Sequence, residues 1–400
     1  MNRQELLLLG KPAGKGNLVS ICILLAVALS GLAFFFYTTP KKIPANNSLA
    51  WLPPLHKSQE LLPIMGTAPD GTPPATIEDI EALVSALRRS HKPKQNLSAA
   101  ICMQDLDNDW SRSQIRAMRA VFDDYGIRIA AITDAEFNIE KQLHDYRHTS
   151  IIAPDLLITL PIDAAETAAK LRRIAGSGTR LVFIDNIPNG FEHPKDYSTT
   201  VMADSYANGY HSLRILAETI NGKGKVALLH WNTTMLTCDM RSNAARFAAA
   251  KYPRLKTVHV FFDSIADVAD ITRKLLDEHP ELAGIWAVWD APALEAVKVI
   301  RGQERNIYVT TVDLGREAAM ELARGDILIG LTAQHPMHQG YVQALCAVAE
   351  LYGQTPPPLI MVPGQLVTRK RLREAWQHIY AEPLPAEIAA IYDRREVISR

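Results

Sequence analysis

Short apolar runs separated by amphipathic stretches dominate the chain beyond Gln95. Ten of these runs have strand length: "AAICM", "IRIAAIT", "DLLITL", "RLVFID", "TTVMA", "KVALLH", "TVHVFF", "GIWAV", "IYVTTV" and "ILIGLTA". The intervals between them carry apolar residues at helical spacing, as in 111–125, 164–175, 207–220, 265–278 and 336–352. Continuous apolar strands alternating with helices predict an α/β fold with a doubly wound parallel sheet covered on both faces. Ten strands exceed the roughly 4–6 of a common open sheet. Two lobes of five or six strands are therefore expected, with the seam at 203–205, where the alternation begins again after "TTVMA".

The pattern upstream is different. Residues 76–90 place Ile77, Ile80, Leu83, Val84 and Leu87 on one face of a helix, with Thr76 as its N-cap. Before it, residues 40–75 hold eight prolines, which prevents regular structure and makes a tether. Residues 18–37, "LVSICILLAVALSGLAFFFY", are 20 uncharged positions, enough to cross a hydrocarbon core of roughly 30 Å. A membrane anchor and a long cleavable signal both fit this run. It ends in "AFFFYTTPKK" rather than in a small-x-small cleavage site after a short apolar core, which favours the anchor. Arg3, Lys11 and Lys15 precede the run and Lys41 and Lys42 follow it, a thin bias towards a cytoplasmic N-terminus.

Composition narrows the class. With 400 residues, 48% of them hydrophobic, the chain can bury sizeable cores. Lys plus Arg equals Asp plus Glu at 43 each, so the basic footprint of a nucleic-acid-binding surface is missing. Cys22, Cys102, Cys238 and Cys346 lack metal-site or disulfide-framework spacing and read as free thiols. No phosphate loop, dinucleotide fingerprint, nucleophile elbow or His-Glu-x-x-His motif is present, and no catalytic residue, metal or cofactor is assigned.

Candidate chemistry lies at the strand ends, where ligands of open α/β sheets bind. "AAICM" is followed by Asp105, Asp107, Asn108 and Trp110, "RLVFI" by Asp185 and Asn186, and "KVALL" by His230, Trp231 and Asn232. "GIWAV" leads into Trp289 and Asp290, "IYVTTV" into Asp313, and "ILIGLTA" into Gln334 and His335. Carboxylates and amides bond paired hydroxyls while an indole covers the C–H face of a ring, so the set suits a polyol. Asp134 and Asp163 are read as helix caps. His335 and His338 are read as rim residues, and the i, i+4 pair His144 and His148 as a surface helix face.

Over residues 97–368 the sequence resembles the periplasmic sugar-binding proteins of ABC transporters, of the ribose- and galactose-binding type, whose fold is shared by lac-repressor sensor domains. The resemblance rests on "NDWSRSQIRAM", "LVFIDN", "RSNAARF", "AVWDAPALEAVKVI" and "VTTVDLGREAAMELARGDILIGLTAQHP", in that order. It implies a periplasmic binding protein-like I fold and makes Asn108, Trp110, Asp185, Arg241, Asp313 and Gln334 ligand contacts. Asn186, Trp289 and Asp290 complete the candidate set. Three positions depart from the family pattern. Ser111 stands where a second aromatic is common, Asn186 where an arginine often follows the aspartate, and Trp289 where an amide is frequent.

The expected layout is a cytoplasmic leader at 1–17, a transmembrane signal anchor at 18–37, and a linker with one helix at 38–95. A periplasmic sugar-binding domain follows at 96–375, then a C-terminal tail at 376–400. Lobe 1 takes 96–203 and 335–360, and lobe 2 takes 204–334 and 361–375. The implied protein sits in a bacterial inner membrane by a single pass, binds a small neutral sugar or polyol, and serves an ABC permease or a membrane sensor kinase. A sugar-modifying enzyme is the alternative of a different class.

Overall fold

The computed structural model describes residues 52, 55, 61–67, 74–90, 96–233, 235–303 and 305–398. The leader, the apolar run at 18–37 and Cys22 lie outside the described residues. Among those described, no helix is long and apolar enough to cross a membrane. Ser48–Arg400 forms one compact unit.

Helix α1 (Ile77–Ser90) opens with a reciprocal cap, in which Thr76 Oγ1 accepts from the Asp79 N–H and the Asp79 carboxylate accepts from the Thr76 N–H. The chain then builds β1 (Ser98–Met103), α2 (Asp109–Tyr125), β2 (Arg128–Asp134), α3 (Ile139–Ile152), β3 (Leu156–Thr159), α4 (Ala168–Gly176), β4 (Arg180–Ile184) and β5 (Thr199–Ala203). It continues with α5 (Ser205–Thr219), β6 (Lys223–Trp231), α6 (Leu236–Ala249), β7 (Arg254–Phe262), α7 (Val268–Glu278), β8 (Leu282–Ala287), α8 (Asp290–Arg301), β9 (Tyr308–Val312), α9 (Arg316–Arg324) and β10 (Leu328–Ala333). Last come α10 (Pro336–Leu351), β11 (Leu359–Val362), β12 (Gln365–Thr368), α11 (Leu372–Tyr380) and α12 (Ala386–Ile398).

Two six-stranded sheets result, ordered β11-β5-β4-β3-β1-β2 and β12-β10-β9-β8-β6-β7. Every pairing is parallel except β10 with β12. Inner strands such as β1, β3 and β5 are buried at every residue, which is why their sequences run apolar without alternating. The chain passes between the lobes three times, from β5 to α5, from β10 to α10, and from β11 to β12.

Both helices that follow a β-to-α crossover need a glycine where they pack hardest. A Cβ on Gly209 of α5 would stand 2.2 Å from the Arg241 carbonyl oxygen of α6. One on Gly340 of α10 would stand 2.3 Å from the Gln114 carbonyl oxygen of α2. Only a residue without a side chain lets these backbones approach so closely.

The structure corrects several expectations. The helix expected from 164 begins at Ala168, because Asp163 Oδ1 accepts from the Ala165 and Glu166 N–H groups and holds the preceding residues in turns. Asp134 holds a turn in the same way, accepting from Leu106 and Glu136. Strands β11 and β12 were not anticipated. Residues 376–400 are not a plain tail, since they carry the end of α11 and all of α12, with Trp376, Ile379, Tyr380, Leu384, Ile388 and Tyr392 buried against the core. The basic run "RKRLREAW" at 369–376, which by composition reads as a solvated helix face, is not wholly one. Arg369 donates to the carbonyls of Ala323 and Tyr392 and lies over the Tyr392 ring.

Candidate functional site

The polar cluster is assembled from loops at the carboxyl ends of strands in both lobes. In the first lobe, Asn108 is the N-cap of α2. Its Oδ1 accepts from the Ser111 N–H at 2.7 Å and its Nδ2 donates to the Asp105 carboxylate at 2.6 Å, so the loop uses both ends of the amide. Asp107 and Asp109 pair with Arg112 beside it. Trp110, one residue into the helix, is half-buried, and its indole N–H has no protein acceptor.

Asp185 follows β4 with φ +57°, the left-handed region that a non-glycine residue occupies only when its surroundings compel it. Its N–H is tied to the Val201 carbonyl at 3.2 Å, its side chain is 5% exposed, and its Oδ1 has no donor. Burial pushes its carboxyl up to about 7, helped by the charge of Asp313 and opposed by Arg241. Asn186 is equally buried but donates to the Pro161 carbonyl at 3.0 Å, which fastens the loop to its neighbour.

The second lobe supplies a linked trio. Arg241 of α6 is 5% exposed, and its Nη1 donates to Asp313 Oδ2 at 3.0 Å and to the Val288 carbonyl at 3.2 Å. Asp313 follows β9 with φ +76° and is pinned by its N–H to the Thr332 carbonyl at 2.7 Å. Its Oδ1 accepts from Gln334 Nε2 at 2.7 Å. Arg241 Nε and Gln334 Oε1 are buried without a protein partner. The Asp290 carboxylate accepts from the Gly315 N–H at 3.0 Å, while burial and the neighbouring Asp313 raise it to about 7. Trp289 meets Trp231 edge-on at 5.2 Å and lies 5.6 Å from Phe262.

The two sets face one another. Asp185 of one lobe lies in the electrostatic field of Arg241 and Asp313 of the other. Around them the lobes touch directly. The Arg316 N–H donates to Asp109 at 3.2 Å, the Arg116 guanidinium meets Glu382 and the Tyr380 carbonyl, and the Phe137 ring stands edge-on to Trp231 at 6.5 Å.

Four buried atoms at the heart of the site therefore lack partners among the described residues: two acceptors, Asp185 Oδ1 and Gln334 Oε1, and two donors, Arg241 Nε and Trp110 Nε1. Buried polar atoms are ordinarily satisfied, and a hydroxyl can both donate and accept, so this mixture matches a polyhydroxylated molecule.

Not every strand-end residue joins the cluster. His230 bonds Ser242 at 2.9 Å and His259 at 3.0 Å, and burial lowers its ring to about 3. Trp231 Nε1 and Asn232 bond Asp263 instead. His335 and His338 are buried, not rim residues, and meet edge-on at 5.4 Å. His144 and His148 are exposed, and among the described residues no group of three or more His, Cys, Asp or Glu could hold a metal ion. One buried residue was passed over. Gln104 directly follows β1, donates to Ser111 Oγ at 3.3 Å and keeps a partnerless Oε1, and its place after the "AAICM" run was the available signal.

Comparison with known proteins agrees with this architecture. Residues 99–355 match the model of the periplasmic binding protein domain family. The ribose import binding protein RbsB of Bacillus subtilis is 23% identical over 278 residues, which is 69% of this chain and 89% of that protein. An ABC transporter solute-binding protein of Agrobacterium vitis, solved with alpha-D-tagatopyranose, superposes with a TM-score of 0.66 at 20% identity, covering 72% of this chain and 100% of the other. A second Agrobacterium vitis solute-binding protein, solved with allitol, gives 0.63 at 21% identity and covers 71% and 99%. With two parallel-sheet lobes, three crossovers and a family match over well over half its length, the chain belongs to the periplasmic binding protein domain family.

Proposed function

We propose that this protein captures a small neutral sugar or polyol between its lobes in the periplasm and presents the closed form to an ABC transporter. The observation that carries this reading is the facing arrangement of Asp185 and the Arg241–Asp313–Gln334 trio, with buried donors and acceptors left over on both sides. Asp185, Arg241, Gln334 and Trp110 have atoms to offer a ligand. Asp313 and Asp290 set the charge around them, Trp289 and Trp110 cover ring faces, and Asn108 and Asn186 hold the loops in place. RbsB is named for ribose import, and the two Agrobacterium vitis proteins hold a ketose and an alditol, which supports the polyhydroxylated class. Residues 18–37 serve as an uncleaved inner-membrane anchor in this proposal. The proline-rich stretch after them serves as a leash only up to Leu55, which is buried in the core, as Leu61, Leu62 and Ala75 beyond it bond the domain. The leash raises the effective concentration of the domain near its membrane partner. That anchor also favours a second reading, a ligand-sensing module for a membrane sensor kinase.

Calorimetric titration of the protein with D-ribose, D-tagatose and allitol tests the reading. At least one should bind, shift the tryptophan fluorescence and be recovered unchanged. Losing a buried charged hydrogen-bond partner costs about 2 kcal/mol, so Asp185→Ala and Arg241→Ala should each weaken binding at least tenfold. Turnover of a bound sugar that Asp185→Asn abolishes would restore the enzyme alternative.

A further inference from the structure

A segment that precedes the family domain grips the hinge. Leu61 forms an antiparallel bridge with Gln365, the first residue of β12 in the second lobe, and the Leu62 N–H donates to the Gly364 carbonyl at 2.8 Å. The N–H groups of Met65 and Gly66 both donate to Asp204 Oδ2, the latter at 3.0 Å. Asp204 is fully buried in the first crossover, where its Oδ1 caps α5 through Ala207 at 2.8 Å and its N–H donates to the Val362 carbonyl at 3.1 Å. Gly66 lies so close that a Cβ would stand 2.7 Å from the Met361 side chain. Farther along, Ala75 forms a parallel bridge with Ile360 and donates to the Leu359 carbonyl of β11 at 3.3 Å. Ile77, Ile80 and Val84 then bury α1 against the first lobe, on α10.

The anchors therefore sit on both sides of the pivot. Gln365 moves with the second lobe, Leu359 and Ile360 move with the first, and Gly364 and Asp204 lie in two of the three crossovers between them. A rotation of the lobes changes the distance between these anchors. Residues 61–66 hold the anchors of the second lobe and the crossovers while Ala75 holds those of the first, so a rotation loads one set of bonds against the other. We propose that residues 61–67 and 74–75 act as a hinge clasp, so that lobe position is coupled to docking of these two stretches and the ligand state of the cleft is passed along the chain towards its N-terminal part. The inference rests on the two-lobe closure reading above, but its test needs no ligand.

The test uses the full chain with Cys22→Ser and two reporter sites, Lys195→Cys and Lys274→Cys. These lysine side chains are 74% and 75% exposed, one on each lobe, while Cys102, Cys238 and Cys346 are buried and should not label. Interlobe distances are measured by pulsed electron spin resonance without any sugar. Gly66→Val, which drives a side chain into Met361, should move the distance distribution to longer values. Ala75→Pro removes the N–H that bonds Leu359, with the ring's fixed φ and its restriction of Pro74 as the accompanying changes, and should move it in the same direction by less. Distributions identical to the parent, in variants whose circular dichroism shows them folded, would overturn the clasp. Should Gly66→Val fail to fold, Ala75→Pro decides by the same criterion. Failure of every sugar to bind would instead count against the proposed function and leave these distances unaffected.

Discussion

Asp185 holds its proton to about pH 7 in the fold, whereas an unperturbed aspartate loses it near 3.8. Between those values the native state binds the extra proton, so stability is highest at and below the lower value, declines as pH rises to about 7, and levels off above it. At about 1.4 kcal/mol per pH unit the loss is on the order of 4 kcal/mol. Asp185→Asn keeps the shape and removes the charge. Urea unfolding should find this variant more stable than the parent at pH 8 and equal to it at pH 4, while a constant difference at both would contradict the burial argument. Asp290 is raised in the same direction, and its contribution cancels in the comparison because both proteins retain it. At this scale the sequence marks where polar residues gather but not what each does. Asn108 and Asn186 stand at strand ends just as Asp185 does, yet one caps a helix and the other pins a loop. Short amides serve caps and ligands with the same atoms, so residue type alone could not separate them. The burial of Arg241 was equally hidden, because it depends on a glycine 32 residues earlier.

The contact between α5 and α6 shows how an element positions that arginine. Gly209 brings the α5 backbone against the backbone of Arg241 itself, and the Arg241 side chain then reaches both the Val288 carbonyl at the end of β8 and Asp313 at the end of β9. Gly209→Ala must push the helices apart, at a cost of about 1–3 kcal/mol typical of overpacking. The expected outcome is a lower urea midpoint together with weaker sugar binding, since the guanidinium is displaced. Unchanged stability would mean that the approach is looser than described. Elements were the most legible level of this protein. All ten apolar runs became strands; the inner ones are covered on both faces and need continuous apolar sequence, while the edge strands β2 and β7 are partly exposed and still carry enough apolar residues to be read. The two missed strands, β11 and β12, are four residues each and are separated by Pro363 and Gly364, so the stretch reads as one short loop. The helices of the last 25 residues were missed for another reason. Their apolar positions, among them Trp376, Ile379, Ile388 and Tyr392, are scattered by prolines at 383 and 385 that only mark the turn between α11 and α12.

For the whole molecule, neither lobe alone surrounds a ligand. Asp185 and Trp110 come from the first sheet, Arg241, Trp289 and Asp313 from the second, and Gln334 from the crossover that returns between them. A ligand that bonds both sets favours the closed arrangement because only there do all contacts form. Small-angle X-ray scattering of the Ser48–Arg400 unit, with and without whichever of the three sugars binds, tests this most directly. The radius of gyration should fall at saturating ligand in the parent and stay at the ligand-free value in Asp185→Ala at the same concentration. A radius unchanged by a ligand that calorimetry shows to be bound would contradict closure between the lobes.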